Sequence, residues 1–371
     1  MNYSDIQIII VIPCYNESGI MQTVRSLFAC ERGDFGVEIL LIVNSYRISP
    51  ESVKEVNRMA FQEASDFAVT NNISGFSLFP IWVENLPGRQ TGAGLPRKIG
   101  MDEAVARFYK NNNRKGIIVS LDADATVAPN YLTEIYRCFK QYKLRSATIE
   151  FHHPVEHLKP GDELRRATEV YEKYLRYYRS ALEHTGYPYA YYTIGSAFAV
   201  TAETYTQVGG MGKQQAGEDF YFLQKVFPLG KSRFIDTTCV YPAARISGRV
   251  PFGTGPAIAK MIDEKKYVKL TYRMEAFEEL RQLFDKTNVF YQASGKQIEA
   301  ILNCFPEYMV TFLKENDFLA KMEEIKQHTA SPENFRKRFF NYFTAFRILK
   351  YLNFVHPVPH EWEQISNASS I

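Results

Sequence analysis

Residues 6–13 read IQIIIVIP, a nearly unbroken run of β-branched side chains that is closed by a proline. A strand of a parallel sheet is covered on both faces, so it carries a continuous apolar run instead of alternating polar and apolar residues. The run therefore predicts a buried strand. Residues 37–43 repeat the pattern, and residues 49–51 (SPE) then supply an N-cap, a first-turn proline and an early acid for a helix that runs towards Phe67.

Strand and helix continue to alternate through the first 140 residues. The same signals predict further strands at 76–82 and 116–121, and helices from about residue 18, at 96–110 and at 129–140. This order predicts an α/β fold with an open, doubly wound, mostly parallel sheet. Ligands of such sheets bind outside the carboxyl ends of the strands.

The rest of the chain departs from this alternation. Strands are predicted at 146–151, 192–200 and 233–240, with helices at 162–183 and 218–227. Strand signals nearly vanish after residue 256, and helices are predicted at 267–283, 295–303, 306–316 and 332–355. We therefore expect a sheet domain at 1–255 and a helical C-terminal extension at 256–371.

Composition excludes several classes of protein. The 371 residues include 44 Lys and Arg against 41 Asp and Glu, so the formal charge of +3 predicts no nucleic-acid partner. The five cysteines are scattered without metal or redox spacing, which favours a reducing compartment. The apolar run at 8–12 is far too short to span a bilayer, so a cytoplasmic protein is expected.

Two acidic motifs are candidates for chemistry. Asp122 and Asp124 come directly after the strand predicted at 116–121, and their oxygens suit a hard divalent cation that takes its other ligands from phosphates and water. Glu218 and Asp219 stand at a predicted helix start, where acids are also the ordinary capping arrangement.

Several modest motifs follow one another in a definite order. The ordered series resembles that of family 2 glycosyltransferases of GT-A fold, and the resemblance covers roughly residues 5–255. The matching segments are residues 13–17 (PCYNE), 97–100 (RKIG), 122–124 (DAD), 195–198 (GSAF), 209–210 (GG) and 218–219 (ED). The fold that this resemblance implies is a GT-A-type doubly wound mixed sheet.

The resemblance assigns residues to a nucleotide-sugar donor. Tyr15 would stack on or border the base, Pro13 and Glu17 would lie near the base or ribose, and Arg97 would contact the nucleotide. Residues 43–45 read VNS where the family has an acidic pair that reads the base, so Asn44 stands at that position.

The resemblance also assigns the reacting groups. Asp122 and Asp124 would carry the diphosphate and a divalent cation, Mn²⁺ or Mg²⁺, with Asp124 as the direct ligand and Asp122 nearer the ribose. Asp219, beside Glu218, would be the general base of an inverting transfer.

Residues 245–255 (RISGRVPFGTG) stand in the neighbourhood where processive members carry a Gln-x-x-Arg-Trp motif. This departure disfavours a polymerising enzyme. Arg245 and Arg249 are suited to bidentate contact with a diphosphate. The alternative is a basic turn that links two domains.

The expected activity is transfer of a single sugar from a nucleoside-diphosphate donor to a hydroxyl of a glycan or a lipid-linked acceptor. One alternative is a nucleotidyltransferase, although residues 13–17 replace the glycine-rich, Lys-bearing loop of such enzymes. The other alternative is an inactive module that binds nucleotide sugars.

The basic, aromatic segment at 332–355 is a candidate for peripheral contact with the inner face of a membrane. Its apolar residues occupy most helix faces, so packing against the sheet domain is the favoured interpretation.

Overall fold

The computed structural model describes residues 6–87, 92–212, 217–246 and 254–365. Packing divides the chain into two compact units. The first comprises Met1–Thr168 and Tyr191–Lys266, and the second comprises Glu169–Ala190 and Tyr267–Ile371. The predicted boundary near residue 256 differs from this division, which comes about ten residues later and assigns 169–190 to the second unit. A sequence pattern gives the order of segments along the chain. It does not show that the helical segment at 169–190 packs with residues about a hundred positions later.

The first unit is built on one large sheet. Its strands are β1 (Ile6–Cys14), β2 (Gly36–Tyr46), β3 (Phe76–Leu86), β4 (Ile117–Ser120), β5 (Ala125–Val127), β6 (Ser146–Phe151), β7 (Phe198–Thr201) and β8 (Ser232–Pro242). Its helices are α1 (Ile20–Phe28), α2 (Glu51–Asn71), α3 (Gly94–Lys110), α4 (Tyr131–Tyr142), the beginning of α5 (Glu163–His184), α6 (Ala202–Gln207), α7 (Glu218–Val226) and α8 (Thr254–Asp263).

The order of the strands in the sheet is β3-β2-β1-β4-β7-β6-β8-β5. Of the seven strand pairs within the described residues, four are parallel and three are antiparallel. Each antiparallel pair contains β5 or β7, namely β4 with β7, β6 with β7 and β5 with β8. The predicted α/β fold class, a doubly wound mixed sheet followed by a largely helical C-terminal part, is confirmed.

Helices cover both faces of the sheet. Alternate residues of β1 point into a core that includes residues of α1, α2 and α4, namely Ile8, Ile10, Ile12, Ile20, Val24, Leu27, Ala60, Ala64 and Ile135. On the opposite face α3 approaches closely, since a Cβ on Gly100 would lie 2.4 Å from Cγ1 of Val11. Burial on both faces explains why β1 has no polar alternation.

The parallel strands bring their carboxyl ends to one edge of the sheet. Cys14 pairs with Val43, and Val11 pairs with Ser120, so β1, β2 and β4 all end at this edge. The loops that follow these strands therefore meet there, and this is where the motifs of residues 13–17 and 122–124 lie.

Two predictions for the first unit were incomplete. The strand predicted at 192–200 is only Phe198–Thr201, because the backbone at Gly195 packs against the side chain of Arg97 instead of pairing with a strand. The short elements β5 and α6 were missed, since three and six residues are too few for a periodic signal.

The second unit is helical. It contains the end of α5 together with α9 (Met274–Asp285), α10 (Thr287–Gln292), α11 (Gly295–Leu302), α12 (Glu307–Glu315), α13 (Phe318–Gln327), α14 (Pro332–Tyr342) and α15 (Ala345–Phe354), and a two-stranded ribbon of β9 (Leu270–Thr271) and β10 (Glu363–Gln364). Its core is aromatic: Phe284 makes edge contacts with Phe339, Phe340 and Phe343 at ring-centre distances of 5.1–5.9 Å.

Two helix predictions in this unit were wrong in their bounds. The helix predicted from residue 267 begins at Met274, because residues 270 and 271 pair as a strand. The helix predicted at 332–355 is two helices, since Thr344 caps α15 by accepting a hydrogen bond from the backbone N–H of Arg347. None of the described helices has the length and apolarity that crossing a membrane requires.

Candidate functional site

Five acids and two arginines gather at the carboxyl edge of the sheet in the first unit. Five separate segments of the chain supply these seven residues, and none of the seven lies inside a strand. Glu17 follows β1, Asp122 and Asp124 lie between β4 and β5, Glu218 and Asp219 begin α7, Arg97 lies in the first turn of α3, and Arg245 follows β8. The sequence prediction named all seven of these residues.

The segment 122–124 is fixed by backbone hydrogen bonds on both sides. The Leu121 N–H donates to Val11 O at 3.1 Å, which extends the pairing of β4 with β1. The Ala125 N–H then donates to Asp122 O at 3.2 Å, so the chain turns here. The Ala243 N–H donates to Asp124 O at 3.1 Å, which brings the end of β8, and with it Arg245, to the same place.

Arg97 joins two of the acids. Its Nη2 donates to Oδ1 of Asp122 at 2.5 Å, and its Nη1 donates to Glu218. The exposed fraction of the side chain is 3% for Arg97 and 5% for Glu218, but 40% for Asp122. The flanking acids raise the pKa of Arg97 despite its burial, so this guanidinium stays charged.

Arg245 joins the other side of the cluster. Its Nη2 donates to Glu17 and, at 2.5 Å, to Oδ2 of Asp124. Glu17 is almost completely buried, and one of its oxygens also accepts the Gly19 N–H at 3.0 Å. The acid of the first loop is therefore tied to the second acid of the Asp-x-Asp motif.

The cluster carries more negative than positive charge. Five carboxylates face two guanidinium groups, an excess of three negative charges when all are ionised. Burial, the Asp122 charge and the Glu17 charge raise the pKa of Asp124 to about 6, against the opposing effect of Arg245. Burial and the neighbouring Glu218 charge raise the pKa of Asp219 to about 7, although Arg97 lowers it. A cationic or proton-donating ligand would be favoured here.

The donor chemistry of Asp122 and Asp124 fits a divalent cation that is shared with phosphate groups. Both side chains offer hard carboxylate oxygens. Over the described part of the chain, no cluster of three or more His, Cys, Asp or Glu side chains is arranged to hold a metal by itself. A cation at this place would accordingly need ligands from a phosphate or from water, as Mg²⁺ usually does.

A group of polar side chains lies at the ends of β1 and β2, next to the loop that carries Glu17. Tyr15 lies edge-on to Tyr46 at 5.8 Å, and its hydroxyl is 3.2 Å from Ser49 Oγ. Asn44 is 1% exposed, and neither polar atom of its side-chain amide has a partner among the described residues. Pro13 pairs with Ile42 inside the sheet.

Sequence reasoning missed Asn57, which connects the backbone of the loop after β1 to that of β2. Asn57 is fully buried on α2, its Nδ2 donates to Asn44 O at 2.7 Å, and its Oδ1 accepts the Asn16 N–H at 2.9 Å. The only available signal was a polar residue on the apolar face of a predicted helix. Arg249, the other arginine predicted to bind the diphosphate, lies outside the described residues.

No family model matches the chain, and no curated protein is significantly similar to it. Similar solved structures include Staphylococcus aureus TarS residues 1–349 in complex with UDP-GlcNAc, at 11% identity and a TM-score of 0.45 over 92% of this chain and 93% of that chain. GalNAc-T7 with UDP, GalNAc and Mn²⁺ is 17% identical, with a TM-score of 0.40 over 71% of this chain and 49% of that chain. A likeness at TM-scores below 0.5 gives no information about the chemistry of this chain.

Proposed function

We propose that this chain is a glycosyltransferase of the family 2 type that moves a single sugar from a nucleoside-diphosphate donor to a hydroxyl group of a glycan or a lipid-linked acceptor. The observation that carries the proposal is the joining of Asp122, Asp124 and the Glu218–Asp219 pair into one charged cluster at the carboxyl edge of the sheet. Transfer from such a donor needs groups that hold a diphosphate and a base that activates a hydroxyl.

The donor side of the reaction would lie along β1, β2 and β4. Tyr15 is partly exposed and presents an aromatic ring at the edge, which suits stacking on a nucleobase. Four carboxylates pair with Arg97 or Arg245, and that of Asp122 is the most exposed of them. Asp122 is therefore available to a ribose hydroxyl. Arg245, with 35% of its side chain exposed, is available to the diphosphate.

A divalent cation, Mn²⁺ or Mg²⁺, held by Asp124 and Asp122 would supply charge stabilisation for the departing diphosphate. The excess of negative charge in the cluster supports this assignment. Arg245 already neutralises part of that charge and would orient Asp124 towards the same place.

Asp219 is the proposed general base. A carboxylate whose pKa is about 7 is a much better proton acceptor than an ordinary one, and it is still ionised in half of the molecules at neutral pH. Removal of the acceptor proton by Asp219 would allow direct displacement at the anomeric carbon, which inverts its configuration. The configuration of the product, measured by NMR, tests this step, because retention would exclude Asp219 as such a base.

The remaining assignments are part of the same proposal. The sheet domain of residues 1–255 would carry the catalytic site, and the helical extension would have a role outside catalysis. The protein would be cytoplasmic and would have no nucleic-acid partner.

Peripheral membrane contact through 332–355 is supported by the exposure of Arg336, Lys337 and Arg338 on α14, whereas Phe335 and Phe339 are buried. Liposome co-sedimentation of K337E/R338E tests the contact, and unchanged binding to anionic vesicles would exclude it.

The alternatives make different demands on the cluster. A nucleotidyltransferase would use the same acids to activate a triphosphate and would release pyrophosphate. An inactive binding module would bind the nucleotide sugar at the same acids without turning it over.

Thermal unfolding with UDP, GDP, CDP and dTDP, and with their sugar conjugates, each with and without Mn²⁺, tests the proposal. A ligand at a hundred times its dissociation constant adds about 2.7 kcal/mol of stability. We expect a cation-dependent shift with one nucleotide, which Asp124→Ala abolishes. Donor turnover then distinguishes an enzyme from a module, and pyrophosphate release from a triphosphate would indicate the nucleotidyltransferase. No shift with any nucleotide would contradict the proposal.

A further inference from the structure

The guanidinium of Arg97 is enclosed by protein groups. Asp122 and Glu218 accept hydrogen bonds from its two η nitrogens, and only 3% of the side chain is exposed. The backbone at Gly195 lies against the same group, since a Cβ there would be 3.0 Å from Nη2 and 3.2 Å from Cζ. Ser120 Oγ holds this backbone in place by donating to Gly195 O at 2.6 Å. A donor nucleotide would consequently meet the exposed carboxylate of Asp122 and not the guanidinium behind it.

Glu218 is enclosed in the same way, and its neighbour Asp219 is more exposed. The Glu218 side chain is 5% exposed and its carboxylate binds Arg97, whereas Asp219 is partly exposed. Both belong to the first turn of α7, which starts after Gly217 in the left-handed conformation at φ +71°. Successive residues of a helix point about 100° apart, so the direction of Glu218 determines the direction of Asp219.

Arg97 therefore connects the two sides of the proposed reaction. One nitrogen holds the acid that follows β4, on the donor side, and the other holds the first residue of the helix that carries Asp219. The planar guanidinium fixes both bonds in one geometry, which a lysine ammonium does not reproduce.

We infer that Arg97 and Glu218 are positioning residues that set the place of Asp219 relative to Asp122, and that neither of them contacts the donor or acts as the base. This inference rests on the proposed function, because Asp219 is the base only if the chain is a glycosyltransferase. It replaces two expectations from the sequence, a nucleotide contact for Arg97 and a catalytic role for Glu218.

The test compares E218Q, R97K, D219N and the double variant R97K/E218Q in the full chain. Glutamine keeps an oxygen that accepts from Arg97, and lysine keeps the charge, so both are conservative. The matched control is E38Q. Glu38 is a buried acid, 5% exposed, that pairs at 2.9 Å with Arg107 of the same helix α3 but lies outside the cluster.

The measurements are kcat and KM for the donor sugar conjugate that binds the wild type, and Kd for the corresponding diphosphate among UDP, GDP, CDP and dTDP. We expect E218Q and R97K each to lower kcat by about 10- to 100-fold, because a small misplacement of a reacting group costs about that much. Donor KM and diphosphate Kd should stay within about threefold of the wild type. D219N should lower kcat by about a thousandfold or more.

The double variant tests whether the two residues act as a unit. Its kcat should be no lower than that of the less active single variant. The losses are not additive when two residues act through one shared bond. E38Q should lower the unfolding midpoint while it leaves kcat within about twofold of the wild type, because it disturbs only stability.

Four results would overturn the inference. A Kd raised tenfold by R97K at unchanged kcat would make Arg97 a donor contact. A loss for E218Q as large as that for D219N would make Glu218 catalytic. Additive losses in the double variant, or an equal loss of kcat in E38Q, would contradict positioning. If the wild type binds no nucleotide at all, the proposed function fails and the inference fails with it, an outcome distinct from the other four.

Discussion

Replacing Gly100 by alanine measures how closely α3 must approach the sheet. A Cβ at this position would lie 2.4 Å from Cγ1 of Val11 and 2.9 Å from Cγ1 of Ile42. Both of these side chains are 0% exposed, in a sheet that is covered on both faces. The added methyl group must therefore push helix and sheet apart, because packed interiors have little room to yield.

Two opposing effects determine the magnitude. Overpacking a well-packed core costs about 1–3 kcal/mol. Alanine in place of glycine inside a helix contributes about 0.5–1 kcal/mol in the opposite direction. We therefore expect G100A to lower the free energy of unfolding of the first unit by roughly 1 kcal/mol, the difference between the midpoints of these two ranges.

Tryptophan fluorescence measures this unit separately. The chain has two tryptophans. Trp82 belongs to β3 of the first unit and packs on Phe61 at 5.4 Å, whereas Trp362 belongs to the second unit. In a W362F background, urea unfolding followed by Trp82 emission reports the stability of the first unit, and G100A is compared at constant m-value.

A double-variant cycle decides whether the steric reasoning is correct. V11A alone should cost roughly 2 kcal/mol, since it removes two buried methyl groups and leaves a small cavity. In the V11A background the nearest methyl is absent, so G100A should cost almost nothing, a coupling of at least about 1 kcal/mol. Additivity of the two changes within about 0.5 kcal/mol would refute the close approach as the cause.

Three further predictions concern the site and its surroundings. Because the pKa of Asp219 is raised from 3.8 to about 7, ionisation of this carboxyl costs free energy in the folded protein. The contribution of Asp219 to stability should thus decline as pH rises from about 4 to 7, so the pH profile from urea unfolding should fall less steeply for D219N than for the wild type. The kcat of the wild type should rise with pH through about 7; identical stability profiles together with a flat kcat profile would contradict the assigned pKa. N57L should lower the free energy of unfolding by about 1–3 kcal/mol, measured in urea, because it leaves Asn44 O and the Asn16 N–H without their partner; a neutral effect would mean that other groups satisfy them. Cys304 is exposed and should react rapidly with Ellman's reagent in the native protein, whereas Cys14, buried and with its pKa raised by that burial and by Glu17, should react only after unfolding; equal rates would contradict its burial.

Much of the fold could be predicted from the sequence because hydrophobic periodicity is a local property. The β-branched run of β1 and the Ser-Pro-Glu start of α2 each indicate an element within about ten residues. The cap itself was predicted wrongly, because Pro50 is the N-cap of α2 and Ser49 Oγ accepts the Tyr46 N–H instead. The same reasoning put Asp122 and Asp124 at the end of a strand, and in the structure they follow β4. Elements of three to six residues, such as β5 and α6, carry too few residues for a period to be recognised.

Tertiary structure alone decided what the site residues touch. Arg97 and Glu218 are 121 positions apart, and Arg245 and Glu17 are 228 positions apart, so no local pattern could pair them. The burial of Arg97 between Asp122 and Glu218, and the burial that raises the pKa of Asp219, likewise depend on which segments pack together. A residue type can be read from the chain, but its partner and its solvation are set by the chain segments that folding brings around it, and these two quantities determine its chemistry.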